Sequence, residues 1–230
     1  MKTIGLIGGM SWESSVVYYQ LLNRGINQRL GGLHFCKSVL YTVDFEEISR
    51  LQREGNWDEL AQMMVTAAQS LEKAGADMVL ICANTMHKVA DQVAQAVRIP
   101  LVHIGDATAE AITKKGFKKV GLLGTRYTME QDFLKSRIQA HGIELLIPEH
   151  EQRLVVHEVI YTELAKGIIS PESRSKYLEI INELVARGAE GVILGCTEIG
   201  LLITPADTDV ILFDTTVIHA GKAIELALGL

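Results

Sequence analysis

Short apolar runs, each closed by glycine or a polar cluster, alternate along the chain with longer segments whose apolar residues return every three to four positions. The first pattern predicts buried parallel strands and the second amphipathic helices, an alternation that makes an α/β protein. Thr3-Ile4-Gly5-Leu6-Ile7 reads as the first strand, and Gly8-Gly9-Met10-Ser11 turns into a helix over 12–28 with Val16, Tyr19, Leu22 and Ile26 on one face. A second strand is expected over 38–43, followed by a loop or short helix over 44–55 that carries Arg50, Gln52 and Arg53. A long helix then starts at Asn56 or Trp57, turns Leu60, Met63, Met64, Ala67 and Leu71 inward, and stops at Ala74-Gly75-Ala76. Val79-Leu80-Ile81 forms the third strand, with a helix over 88–97, a strand over 99–104 and a helix over 106–115 after it. The second half opens on Val120-Gly121-Leu122-Leu123-Gly124, continues with helices over 154–167 (Val155, Val159, Ile160 and Leu164 inward) and 171–187, adds the strand Val192-Ile193-Leu194-Gly195, and closes on a helix over 214–228.

The halves echo each other. Ile4-Gly5-Leu6-Ile7-Gly8 returns 116 positions later as Val120-Gly121-Leu122-Leu123-Gly124, and Gly75-Ala76-Asp77 returns 113 positions later as Gly188-Ala189-Glu190. Ile99-Pro100-Leu101 is matched more loosely by Val210-Ile211-Leu212. Echoes in one order at nearly constant offset indicate a duplication. The expected architecture is two pseudo-two-fold related, doubly wound parallel-sheet domains with a ligand site in the cleft between them, beyond the strand ends. The closing helix echoes the one after Ile104, so the first domain is expected to be discontinuous, 1–100 plus 210–230, with 101–209 as the second.

Within this repeat two thiols hold similar positions. Cys82 ends an apolar strand and is followed by Ala83-Asn84-Thr85-Met86-His87; Cys196 does the same before Thr197-Glu198. Free cysteine is commonly a small buried hydrophobe, and Cys36 beside Phe35 fits that description. At Cys82 and Cys196 the polar residues that follow point to chemistry. Two thiols facing one carbon, one removing a proton and the other returning one to the opposite side, invert a configuration. With the glycines aligned, Cys82 falls on Gly195, so the two motifs are displaced by one residue. Glu198, a carboxylate beside a thiol, disfavours the thiolate but suits a substrate ammonium group better than it suits a solvated loop, while His87 either tunes Cys82 or, as a lone histidine more often is, serves the structure alone.

Composition narrows the alternatives. Of 230 residues 48% are hydrophobic and 22% charged, and no apolar run approaches the ~18 residues that span a bilayer, so no membrane association is expected. A net charge of −6 with no basic stripe argues against nucleic acid as a partner. The chain runs from Met1 directly into a strand with no signal-peptide pattern, and a cytoplasmic location follows as an expectation. Three cysteines far apart form neither a disulfide framework nor a metal-ligand spacing, so all are expected as thiols and no metal is expected. Gly5-x-x-Gly8-Gly9 is not the dinucleotide fingerprint. With Ser11 as N-cap, such a turn either offers backbone N–H groups to a substrate carboxylate or simply permits a tight bend.

At these motifs the chain resembles the aspartate/glutamate racemase family of cofactor-independent amino-acid racemases. The likeness runs nearly end to end, through residues 5–14, Cys82-Ala83-Asn84-Thr85-Met86-His87-Lys88, Gly124-Thr125-Arg126-Tyr127-Thr128-Met129 and Gly195-Cys196-Thr197-Glu198. The resemblance implies two similar domains with the site between them, homodimers, and no pyridoxal phosphate or other cofactor. It makes Cys82 and Cys196 the acid/base pair and lines the substrate with Met10, Ser11, Asn84, Thr85, Gly124, Thr125, Thr197 and Glu198. It also implies an arginine beyond the second strand, Arg50 or Arg53, with Gln52 as a further contact, and a lysine that falls near Lys166 with a one-residue displacement. The ligand is then a small amino acid, aspartate first and glutamate or a broader set next. The alternatives are a hydantoin racemase or malonate-type decarboxylase on the same scaffold, and a non-catalytic amino-acid sensor.

Overall fold

Every position of β1 (Ile4–Gly8) is buried, as expected of a strand covered on both faces. In the computed structural model, which describes residues 1–230, it is followed by α1 (Trp12–Leu30), β2 (Ser38–Thr42), α2 (Phe45–Glu54), α3 (Trp57–Lys73), β3 (Met78–Ile81), a 3-10 turn (Thr85–Val89) and α4 (Ala90–Ala96). The strands form a parallel sheet in the order β2-β1-β3, with β1 central and β2 an exposed edge. Asp44 caps α2 by accepting from Glu46 N–H, and Asn56 caps α3 by accepting from Glu59 N–H.

After α5 (Ile104–Lys115) the elements run on as β4 (Lys119–Gly124), α6 (Arg126–Glu130), α7 (Asp132–Gln139), β5 (Glu144–Leu146), α8 (His150–Thr162), a 3-10 turn (Leu164–Lys166), α9 (Pro171–Ala186), β6 (Gly191–Gly195), α10 (Ile199–Leu202), β7 (Ile211–Asp214) and α11 (Thr215–Leu228), and the strands among them build a second sheet. Its strands are parallel in the order β5-β4-β6-β7. Ser170 with Pro171 at the first turn starts α9, and a reciprocal Glu149/Gln152 capping box starts α8. The chain divides into two compact units, Met1–Ile104 with His219–Leu230, and Gly105–Ile218. Both are α/β with all-parallel sheets, and the first consists of two chain segments.

Three local readings are corrected. The buried face of α1 is Ser14, Ser15, Tyr18, Leu22, Gly25 and Ile26, whereas Val16 and Tyr19 stand 42% and 55% exposed. Tyr18 is drawn inward because its hydroxyl has a buried partner, and Gly25 permits close approach of the Ile224 side chain of α11. Residues 99–104 are not a strand. Leu101 makes an isolated bridge to Val79, Pro100 supplies only its carbonyl to Val79 N–H, and α5 has begun by Ile104. The helix expected over 154–167 starts earlier and ends at Thr162, where Glu163 tightens into the 3-10 turn closed by left-handed Gly167; Val156 rather than Val155 is buried.

Candidate active site

Cys82 lies one ladder step beyond β3: its N–H donates to the Ile7 carbonyl at 2.9 Å, which seats it beside Gly8 at the end of the central strand. The thiol is wholly buried among Ile4, Leu6, Tyr18, Leu80 and Val102, and burial pushes its pKa far above the usual thiol range. Asn84 and Thr85, both buried, lead into the 3-10 turn, where the Asn84 carbonyl accepts from His87 N–H at 3.0 Å. Gln52 is buried on α2 and reaches this loop, its side-chain amide donating to Met86 Sδ at 3.3 Å. The arginines lie along α2 itself: Arg53 on Ser49 and Glu46, Arg50 on Glu54 at 2.8 Å. Met10 is buried in the core with Ile7, Ile48 and Met86. Ser11 occupies the N-cap position of α1 without capping through its side chain; its carbonyl accepts from the Ser14 and Ser15 hydroxyls. Ser15 Oγ in turn accepts from Gly9 N–H at 2.8 Å, so that donor of the glycine turn is engaged within the protein.

The second thiol has a different setting. Cys196 follows β6 and is 8% exposed; its Sγ donates to Glu198 Oε2 at 2.9 Å, and Thr197 Oγ1 donates to the same oxygen at 2.7 Å. The Glu198 carboxylate, itself buried, is thus folded back onto the thiol. Burial, then the Glu198 charge and its hydrogen bond, hold Cys196 well above the ordinary thiol pKa. Gly124 ends β4 opposite Gly195, and a Cβ there would lie 2.8 Å from the Gly195 carbonyl, so the residue must stay small. Thr125 caps α6, its hydroxyl accepting from Thr128 N–H at 3.3 Å. Lys166 ends the 3-10 turn after α8, exposed.

Register shows how the two motifs correspond. Gly5 pairs with Val79 and Gly121 with Val192, which equates Cys82 with Gly195 and leaves Cys196 one residue further along. Side chains alternate along a strand, so the displacement changes the sheet face. Cys82 packs with Leu80, Leu6 and Ile4, whereas Cys196 packs with Leu194, Val192 and Leu123, the counterparts of Ile81, Val79 and Ile7 on the other face. Sequence reading also missed what surrounds the Cys82 loop. His103 and His219 join His87 in a buried group, with ring centroids 4.5 Å (His87 to His103) and 5.8 Å (His87 to His219) apart.

A family model described as Asp/Glu/Hydantoin racemase matches residues 7–223, nearly the whole chain. The chain belongs to the Asp/Glu/Hydantoin racemase family. A crystal structure of a candidate Asp/Glu racemase from Yersinia pestis is 52% identical, covers 99% of this chain and 100% of its own, and superposes with a TM-score of 0.91. An aspartate racemase homologue from Pyrococcus horikoshii OT3 is 37% identical at a TM-score of 0.86, with 99% of this chain and 100% of that chain covered. The broad specificity amino-acid racemase RacX of Bacillus subtilis is 23% identical over 175 residues, 75% of this chain and 74% of that one. The Picrophilus torridus aspartate racemase, 22% identical over 100% of this chain and 95% of its own, shares the fold at a TM-score of 0.79. The two-sheet α/β organisation is therefore that of solved family members.

Proposed function

We propose that the chain is a pyridoxal-phosphate-independent amino-acid racemase, with aspartate as the first substrate and glutamate or a broader set after it, and with Cys82 and Cys196 as opposed acid and base. The observation that carries this reading is the free, buried thiol beyond β3 in one unit and beyond β6 in the other, each on a strand that pairs with a glycine-ended central strand and each close to a threonine. In one direction a thiolate takes the α-hydrogen as a proton, the C–H electron pair stays on Cα and spreads into the carboxylate, and the opposite thiol delivers its proton to the other face. The roles exchange for the other enantiomer. Asn84, Thr85 and Thr197 are the donors suited to the growing carboxylate charge. Burial keeps both thiols protonated, and a substrate ammonium group supplies the positive charge that favours a thiolate.

Family membership supports the reaction type, and the Pyrococcus homologue and RacX support an amino-acid substrate. A homodimer belongs to the same proposal: α1 turns Trp12, Val16 and Tyr19 outward beside the edge strand β2, an apolar surface next to open ladder positions that a second copy can pair. Light scattering is expected to give twice the chain mass, reduced to the monomer's by Trp12→Asp.

The test is chiral chromatography of L- and D-aspartate, then of an amino-acid panel and hydantoins, after incubation with dialysed protein and no cofactor. Interconversion of the aspartate enantiomers is expected. Turnover of hydantoins alone would replace the reading with a hydantoin racemase. Ligand-induced thermal stabilisation without any turnover would replace it with a sensor.

A further inference from the structure

We propose that His87 is a positioning residue for Cys82, a neutral imidazole that fastens the Cys82 loop to the point where the chain leaves the first unit; the proposal rests on the acid/base role assigned to Cys82 above. His87 Nδ1 lies 2.8 Å from the carbonyl oxygen of Ala83, the residue directly after the thiol. A carbonyl only accepts, so Nδ1 carries the hydrogen. Nε2 is then a lone pair, and it accepts Ile104 N–H at 3.2 Å. His87 is 3% exposed and both ring nitrogens are bonded to backbone, so exchanging a proton with a thiol or a substrate would cost one of these bonds. His87 therefore acts through Ala83.

The surrounding group shows what this attachment secures. His219 Nε2 donates to the Val102 carbonyl at 2.7 Å, which leaves Nδ1 to accept the Tyr18 hydroxyl at 2.8 Å. Ile104 is the last residue of the unit's first segment and His219 the first of its second, so both chain crossings are bonded into the cluster that flanks the Cys82 loop. Displacing a reacting group by about 1 Å costs on the order of 100-fold in rate. A two-point clamp one residue from the thiol is placed to prevent such a shift.

The experiment compares wild type with His87→Ala, His87→Asn and His87→Gln in the full chain. Asparagine puts an amide nitrogen near the Nδ1 position and keeps a donor for Ala83; glutamine reaches the Nε2 position and keeps an acceptor for Ile104. Two readouts are taken: α-hydrogen exchange of each aspartate enantiomer in deuterium oxide, and iodoacetamide labelling of Cys82 and Cys196 resolved by peptide mass spectrometry. His87→Ala is expected to slow the Cys82-dependent exchange about 10- to 100-fold, leave the Cys196-dependent exchange within about twofold, and speed labelling of Cys82 alone at least about tenfold. His87→Asn recovers most of both effects. Equal change at the two thiols, no change at Cys82, or an asparagine variant no better than alanine overturns the proposal. If His87→Ala does not fold, His87→Gln takes its place, with Cys82 expected to label faster than in His87→Asn. Labelling needs no turnover, so a wild type inert toward every amino acid would refute the racemase reading while the labelling pattern still decides the role of His87.

Discussion

Burial of His219 makes the stability of this protein acid-sensitive in a calculable way. The imidazole is fully buried, and desolvation, only partly offset by its bond to Val102, pushes its pKa down to about 4 from an ordinary 6.5. Between these values the unfolded chain binds a proton that the folded chain does not. Stability is therefore intact above about pH 6.5, falls as the pH drops through the window, and has lost the full contribution below about pH 4. At 1.36 kcal/mol per pKa unit the full loss is roughly 3 kcal/mol, of which about 2 kcal/mol is lost by pH 5. That is a large share of the ~5–15 kcal/mol that holds a typical domain. The assay is urea unfolding at pH 7.5, 6, 5 and 4.5 for wild type and His219→Gln. Glutamine keeps a donor for the Val102 carbonyl and cannot titrate, while loss of the acceptor for Tyr18 costs about 1–2 kcal/mol at every pH. Wild type is expected to lose about 2 kcal/mol more than the variant between pH 7.5 and 5. Parallel losses in the two proteins would refute the reasoning.

Other consequences follow from single contacts. Glu198→Gln removes the negative charge that opposes ionisation of Cys196, which is base in one direction and acid in the other, so the kcat/KM–pH profiles for both enantiomers should move to lower pH together; profiles that stay where those of wild type lie would contradict this. Gly195→Ala would place a Cβ 2.6 Å from the Leu123 carbonyl and 2.8 Å from Leu122 Cδ1. Backbone cannot yield cheaply there, and a loss of about 1–3 kcal/mol is expected in urea melts.

What could be read from sequence followed the strength of the local signal. β1, β3, β4 and β6 are short apolar runs buried on both faces, and their polar or glycine ends announced the two thiols. β5 has three residues at a half-covered edge, and α6 and α7 are short and polar, so 126–149 carried no pattern strong enough to read. The buried face of α1 is not legible in sequence, because Tyr18 and Tyr19 are equally apolar there and differ in the tertiary partner, His219, that Tyr18 meets. The histidine group gathers residues 18, 87, 103 and 219, a proximity that no local periodicity encodes. Glu198 was legible as a polar neighbour of Cys196, but its turn onto Sγ depends on the backbone that leads into α10.

The central claim is tested most directly by α-hydrogen exchange of L- and D-aspartate in deuterium oxide, with dialysed wild type, Cys82→Ser and Cys196→Ser and no added cofactor. The two-thiol account predicts exchange with inversion in wild type, loss of inversion in both variants, and residual exchange in each variant confined to one enantiomer, opposite in the two. Inversion that survives either substitution would contradict it.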